Sequence, residues 1–165
     1  MECFDLLYEK VKDADGGNSF VVFDIWGPGR TSKLQCDISC MLSPEMFNRF
    51  VLPFLKRQAD WLDYSLYHLD GTTALQHLDA LLSIDSLNAI QWTPQSGKPQ
   101  PGEAVWYDLY KRIKAGGKGV QAHNVRLDQI RPLLDAVGPE GVFMTVKADS
   151  QKQAEEAIGI IEQYR

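Results

Sequence analysis

Residues 65–82 read SLYHLDGTTALQHLDALL, and the way this stretch divides decides the fold. Its first part, with Tyr64 added, is short, apolar and rich in residues that favour strands, which predicts a strand over Tyr64–Asp70. Gly71, Thr72 and Thr73 interrupt it. Apolar residues then return at helical spacing, at Ala74, Leu75, Leu78, Leu81 and Leu82. A strand, a glycine turn and an amphipathic helix make one βα unit. Two ionisable side chains, His68 and Asp70, close the strand. Either they form a satisfied polar pair, or they face a ligand.

The same rhythm extends in both directions. Upstream, SFVVFDIW (Ser19–Trp26) predicts a strand, GPGR a turn and KLQCDIS a second extended piece. A helix follows from Ser43, a good N-cap, with Pro44 at its first position. Phe47, Phe50, Val51, Phe54 and Leu55 form its expected inner face, and Pro53 is expected to kink it. Downstream, Leu87–Thr93 predicts a strand and PQSGKPQPGE a long loop. The next helix uses Trp106, Leu109, Tyr110 and Ile113, and ends at Gly116–Gly117. Gly119–His123 is a strand, LDQIRPLLDAVG a helix closed by Gly138, and Gly141–Ala148 the last strand. Asp149 or Ser150 caps a final helix whose inner face is Ala154, Ala157, Ile158 and Ile161. The expected fold class is α/β, a single domain with a parallel sheet and about five βα units. Roughly eight units close a barrel of this type. The chain is therefore expected to be either an open sheet or a partial TIM-type (βα) barrel.

The totals narrow the function classes. At 165 residues, 44% hydrophobic and 24% charged, the composition is that of one globular domain. A formal charge of −5, with no basic stripe, argues against nucleic acid as a partner. No apolar run approaches the length of a membrane span, and the first residues lack the pattern of a secretion signal. Cys3, Cys36 and Cys40 are an odd set without a disulfide framework, which points to a reducing, cytoplasmic setting.

Residues two apart on a strand share a face, so His68 and Asp70 point the same way, at the carboxyl end where ligands of α/β folds bind. Gln91 closes its own strand, Gln121 and His123 share a face on the next, and Asp24 and Trp26 share one on the first. In a pocket, His68 and Asp70 are expected either to serve as acid and base, with Asp70 orienting the imidazole or raising its pKa, or to hold a metal. Gln91, Gln121 and His123 are the expected substrate contacts. Asp37 is either a ligand contact or a turn former, and Arg30 either clamps a carboxylate or stays solvated. His77 lies off the apolar helical stripe and is expected in solvent. Trp26 and Trp92 either stack on a ligand or fill the core. There is no G-x-S-x-G elbow, no G-x-G-x-x-G and no phosphate loop, so neither a serine hydrolase nor a nucleotide enzyme has a positive signal.

Two longer stretches, CDISCMLSPEMFNRFVLPFLKRQADWLD and YHLDGTTALQHLDALLSIDSLNAIQWTP, resemble the later part of uroporphyrinogen decarboxylase-like barrels. The likeness runs from about Ser19 to Val146 and rests on the order and spacing of its motifs: a Ser-Pro-Glu-x-Phe helix, a strand ending in a short turn, then a strand resembling "lDaiqW". It implies a (βα)8 architecture with its mouth at the strand carboxyl ends. It also implies one of several chemistries: cofactor-free decarboxylation of a tetrapyrrole, zinc-assisted methyl transfer to or from a corrinoid protein, or the related cobalamin-independent methionine synthesis. This chain departs from the pattern at three places. The N-terminal arginine- and aspartate-bearing segments are not found, and neither is the Gly-His-Gly turn. The methyltransferases' His-x-Cys is here His68-Leu69-Asp70, with no later cysteine, so the zinc ligand set is incomplete. A part-barrel would expose strand edges and an apolar face, so self-association into a homo-oligomer is expected. A non-catalytic partial barrel or binding module is the alternative.

Overall fold

The structure, a computed structural model, describes residues 1–165, the side chains of Phe20 and Val21 excepted. Helix α1 (Glu2–Val11) leads into a two-stranded antiparallel ribbon, β1 (Gly17–Phe20) and β2 (Ile25–Pro28), joined through a 3₁₀ turn at Val21–Phe23. The main sheet follows: β3 (Thr31–Gln35), helices α2 (Pro44–Phe50) and α3 (Leu52–Trp61), β4 (Tyr64–Asp70), α4 (Leu78–Leu82), β5 (Ala89–Thr93), α5 (Tyr107–Ala115), β6 (Gly119–Val125), α6 (Ile130–Val137), β7 (Val142–Val146) and α7 (Gln151–Ile161). Its five strands are all parallel and lie in the order β3-β4-β5-β6-β7. Five strand–helix units are present, and consecutive strands are neighbours throughout. Because right-handed crossovers between successive neighbours return on the same side, such an order gathers the helices on one face.

Burial follows that division. Leu34, Tyr67, Leu69, Ile90, Trp92, Val120 and Ala122 point to the helical face and are fully buried with Leu78, Leu81, Tyr110, Ile113, Ile130 and Leu133. The opposite face carries Gln35, His68, Gln91 and Gln121, which are register partners across four adjacent strands. The β1–β2 ribbon lies against this second face. Among the described residues, no helix is long and apolar enough to cross a membrane.

Several local expectations are corrected. Ser19–Trp26 is not a strand of the parallel sheet: it spans the end of β1, the 3₁₀ turn and the start of β2. The helix after Ser43 breaks in two at Val51, with Pro53 in the first turn of α3. That break re-phases the apolar stripe. Phe47 and Leu55 stay buried, but Phe50 and Phe54 turn out to solvent. Residues 72–77 form a 3₁₀ helix rather than an α-helix. Three residues per turn place His77 directly above Ala74, so both are buried. His77 therefore stacks on Phe47 at 4.2 Å, and its Nε2 lies 2.8 Å from the Ser39 carbonyl oxygen. In α7, Ala157 is buried while Ile158 is exposed.

Candidate functional site

The polar face converges at the carboxyl ends of β4, β5 and β6. Gln91 sets the geometry. Its Nε2 donates to the Trp92 carbonyl at 2.9 Å and to Thr93 Oγ1 at 2.6 Å. A carbonyl oxygen can only accept, so this end of the amide is its NH₂, and Oε1 is the atom facing His68 Nδ1. His68 Nδ1 must then carry the proton. In the neutral ring, Nε2 is left with its lone pair, 3.8 Å from Asp70 Oδ2 and too far for a hydrogen bond. Asp70 is half-exposed at the rim.

The Thr145 hydroxyl accepts from Asn124 N–H at 3.0 Å and lies 3.3 Å from His123 Nδ1, to which it can donate or from which it can accept. His123 Nε2 is buried with no protein partner among the described residues. Burial holds this imidazole below its ordinary pKa; the Asp24 carboxylate works against that shift and His68 adds to it. The neighbouring Gln121 donates from Nε2 to the Phe23 carbonyl, which fixes its amide as well. Gln121 Oε1 is then a buried acceptor without a protein partner among the described residues. Each such unserved group costs about 1–3 kcal/mol unless something hydrogen-bonds to it. One face thus carries an acceptor nitrogen (His68 Nε2), a second imidazole nitrogen without a partner among the described residues (His123 Nε2) and an amide oxygen (Gln121 Oε1).

A cavity of about 240 Å³ opens beside them, lined by Val22, Phe23, Gln91, Thr93, His123 and Asn124 among others. A larger hollow of about 620 Å³ lies at the other, amino end of the same sheet face. It is walled by Trp26, Leu66, Ala89, Val120, Val142 and Phe143 and is mostly apolar. Gln91 and His123 line the smaller cavity, whereas Gln121 and Asp24 line the larger one.

Comparison with family models, with curated proteins and with solved structures returns no match. The site is therefore read from its own geometry.

Of the residues singled out in the sequence, His68, Asp70, Gln91, Gln121 and His123 come together. Asp37 follows β3 at the same end of the sheet and accepts from Gln35 Nε2 at 2.9 Å, beside His68 in the register. Arg30 does not join them. It precedes β3 at the amino end, pairs with Asp5 at 3.0 Å and stacks on Trp61 at 4.8 Å. Trp92 points to the helical side and packs on Trp106, so it fills the core; Trp26 is exposed at the larger hollow. Three contributors were not singled out: Gln35, Thr145 and Phe23. Alternation along β3 and β7 would have found the first two. Phe23 had no sequence signal, because its segment reads as strand.

A zinc centre of the kind the resemblance implies needs at least three donors, thiolates among them. Among the described residues, no three His, Cys, Asp or Glu side chains cluster to hold a metal ion. Partial burial, with Asp37 alongside, pushes the Cys36 thiol away from its thiolate form. Cys40 Sγ donates to the Asp37 carbonyl at 3.5 Å. These residues do not fit a thiolate zinc site.

Proposed function

We propose that the chain is part of a uroporphyrinogen decarboxylase-like (βα) barrel, with a small-molecule site at the carboxyl ends of β4–β6. The observation that carries the reading is the meeting of two imidazoles and two buried amides on one polar face. In this reading His68 Nε2 accepts a proton from substrate, Asp70 at the rim steadies the imidazolium that results, and His123 Nε2–H donates to the oxygen where charge develops. Gln91 holds the His68 tautomer and is a positioning residue. Cofactor-free proton transfer suits this donor set better than methyl transfer, and a corrinoid protein partner would belong to the latter. The consecutive strand order and one-sided helices are what a segment of a barrel would have. The cavity admits one pyrrole-sized ring, so a tetrapyrrole would engage the rim through a single ring. Three free thiols agree with a cytoplasmic setting.

The test is titration with coproporphyrinogen and uroporphyrinogen, read by calorimetry. His68→Ala should weaken binding roughly tenfold while leaving the thermal midpoint within a few degrees of wild type. Binding that is absent, or indifferent to that change, would sink the reading.

The apolar hollow and the edge strands favour a second reading, in which the domain binds or assembles without catalysing. Absence of turnover together with a stable homo-oligomer would support it.

A further inference from the structure

The 3₁₀ turn at Val21–Phe23 fills the space that the polar face encloses. The Phe23 ring is 6% exposed, and its centroid lies 4.9 Å from that of His68 and 5.9 Å from that of His123. Lys33 Nζ stands 5.0 Å from the same ring. The Phe23 carbonyl accepts from Gln121 Nε2. Yet Gln121 Oε1 and His123 Nε2, on the same strand, have no protein partner among the described residues. An apolar ring seated among imidazoles and amides leaves their hydrogen-bonding capacity unused, and buried polar groups are rarely left so. Within the turn Val22 is 70% exposed, and Asp24, next along from Phe23, sits in the left-handed region at φ +51°.

We propose that Phe23 holds the place of a ligand, and that this ligand is one flat aromatic ring bearing a carboxylate on a short arm. The proposal deepens the site reading above and rests on its location. Phe23 presents a ring and a carbonyl two carbons apart, and both are gripped. A carboxylate on such an arm offers two oxygens where the Phe23 carbonyl offers one. The first takes the Gln121 amide N–H and the second takes His123 Nε2–H. The Lys33 ammonium supplies the opposite charge. The ring replaces that of Phe23 between the imidazoles, and a ring N–H or O–H would serve Gln121 Oε1. Ligand entry swings the Val21–Phe23 turn outwards, so the turn acts as a built-in competitor.

The probe is 3-phenylpropionate, titrated calorimetrically into wild type, Phe23→Ala and Phe23→Leu, with imidazole ¹⁵N signals followed by NMR. The alanine variant should bind about tenfold more tightly than wild type, with leucine between them. The His123 signal should move in every form that binds. If circular dichroism shows the alanine variant unfolded, the leucine variant carries the test, with a gain of about threefold expected. Equal affinity in all folded forms, or binding that leaves His123 unmoved, overturns the proposal. Tetrapyrrole binding without any phenylpropionate binding overturns this inference alone. Phenylpropionate binding without tetrapyrrole supports it and overturns the tetrapyrrole reading.

Discussion

His123 shows how a single residue reports on the site. Its imidazole is held below the ordinary value, first by burial. A group whose folded pKa is depressed favours folding above its unfolded value, about 6.5 for histidine. That contribution is lost as pH falls through the folded value. Urea midpoints measured from pH 7.5 to 5 should therefore fall more steeply for wild type than for His123→Phe; superimposable curves would contradict the assignment. His68, Asp70, Gln91, Gln121 and His123 were legible in the sequence because strand alternation is strict and the carboxyl end of a parallel strand can be read from its turn. Arg30 was misplaced for a related reason. A loop arginine has no periodicity to say which end of the sheet it serves. The burial of His77 depended on a 3₁₀ rather than an α turn, a difference of a fraction of a residue per turn that its sequence does not announce.

At the scale of elements, the first and last helices of the βα region are closed by serine caps. Ser43 Oγ accepts from Met46 N–H at 3.2 Å and caps α2; Ser150 Oγ does the same for α7 from Gln153 N–H at 3.3 Å. The first cap was readable in advance, and Ser150 was one of two residues expected at the second. Two lysines are tied to the ends of neighbouring segments in a way that was not. Lys114 Nζ donates to the Val137 and Gly138 carbonyls at the end of α6. Buried Lys118 donates to the carbonyls of Ile84 at 2.7 Å and Asp85 at 3.1 Å, tying the start of β6 to the turn before β5. Replacing Lys118 by methionine keeps the stem but strands two carbonyls. It should cost about 2 kcal/mol, a thermal midpoint lower by roughly 4–8 °C for a domain of this size. An unchanged midpoint would mean that these carbonyls are served by water instead. Gly71, at φ +84°, turns the chain out of β4 directly after Asp70. Gly71→Ala should be destabilising by about 1 kcal/mol, checked by the same melt.

The whole molecule has one closed face and one open one. Helices seal the sheet on the side of Tyr67 and Trp92, whereas the other side is partly covered by the β1–β2 ribbon and retains the 620 Å³ apolar hollow. Strand β7, at the sheet edge, carries no charged residue and exposes Phe143. Natural edges of that kind are usually covered. Light scattering after size exclusion should therefore show a mass above 18.6 kDa at micromolar concentration, reduced by Phe143→Lys; a clean monomer at high concentration would count against an open part-barrel. The alternation of strands and helices was legible throughout Thr31–Arg165. The ribbon was not, because Val21, Val22 and Phe23 have the composition of a strand but serve as a turn over the polar face. The three histidines of this chain allow the most direct test of the claim that this face binds a small molecule. His68 and His123 line it, while His77 is sealed among Phe47 and Ser39 behind the sheet. In ¹⁵N-edited NMR of the free protein, His68 should show the Nδ1–H tautomer and His123 the Nε2–H tautomer. Adding coproporphyrinogen should then shift both signals together and leave His77 in place. Shifts confined to His77, or no shift in any of the three, would contradict the account.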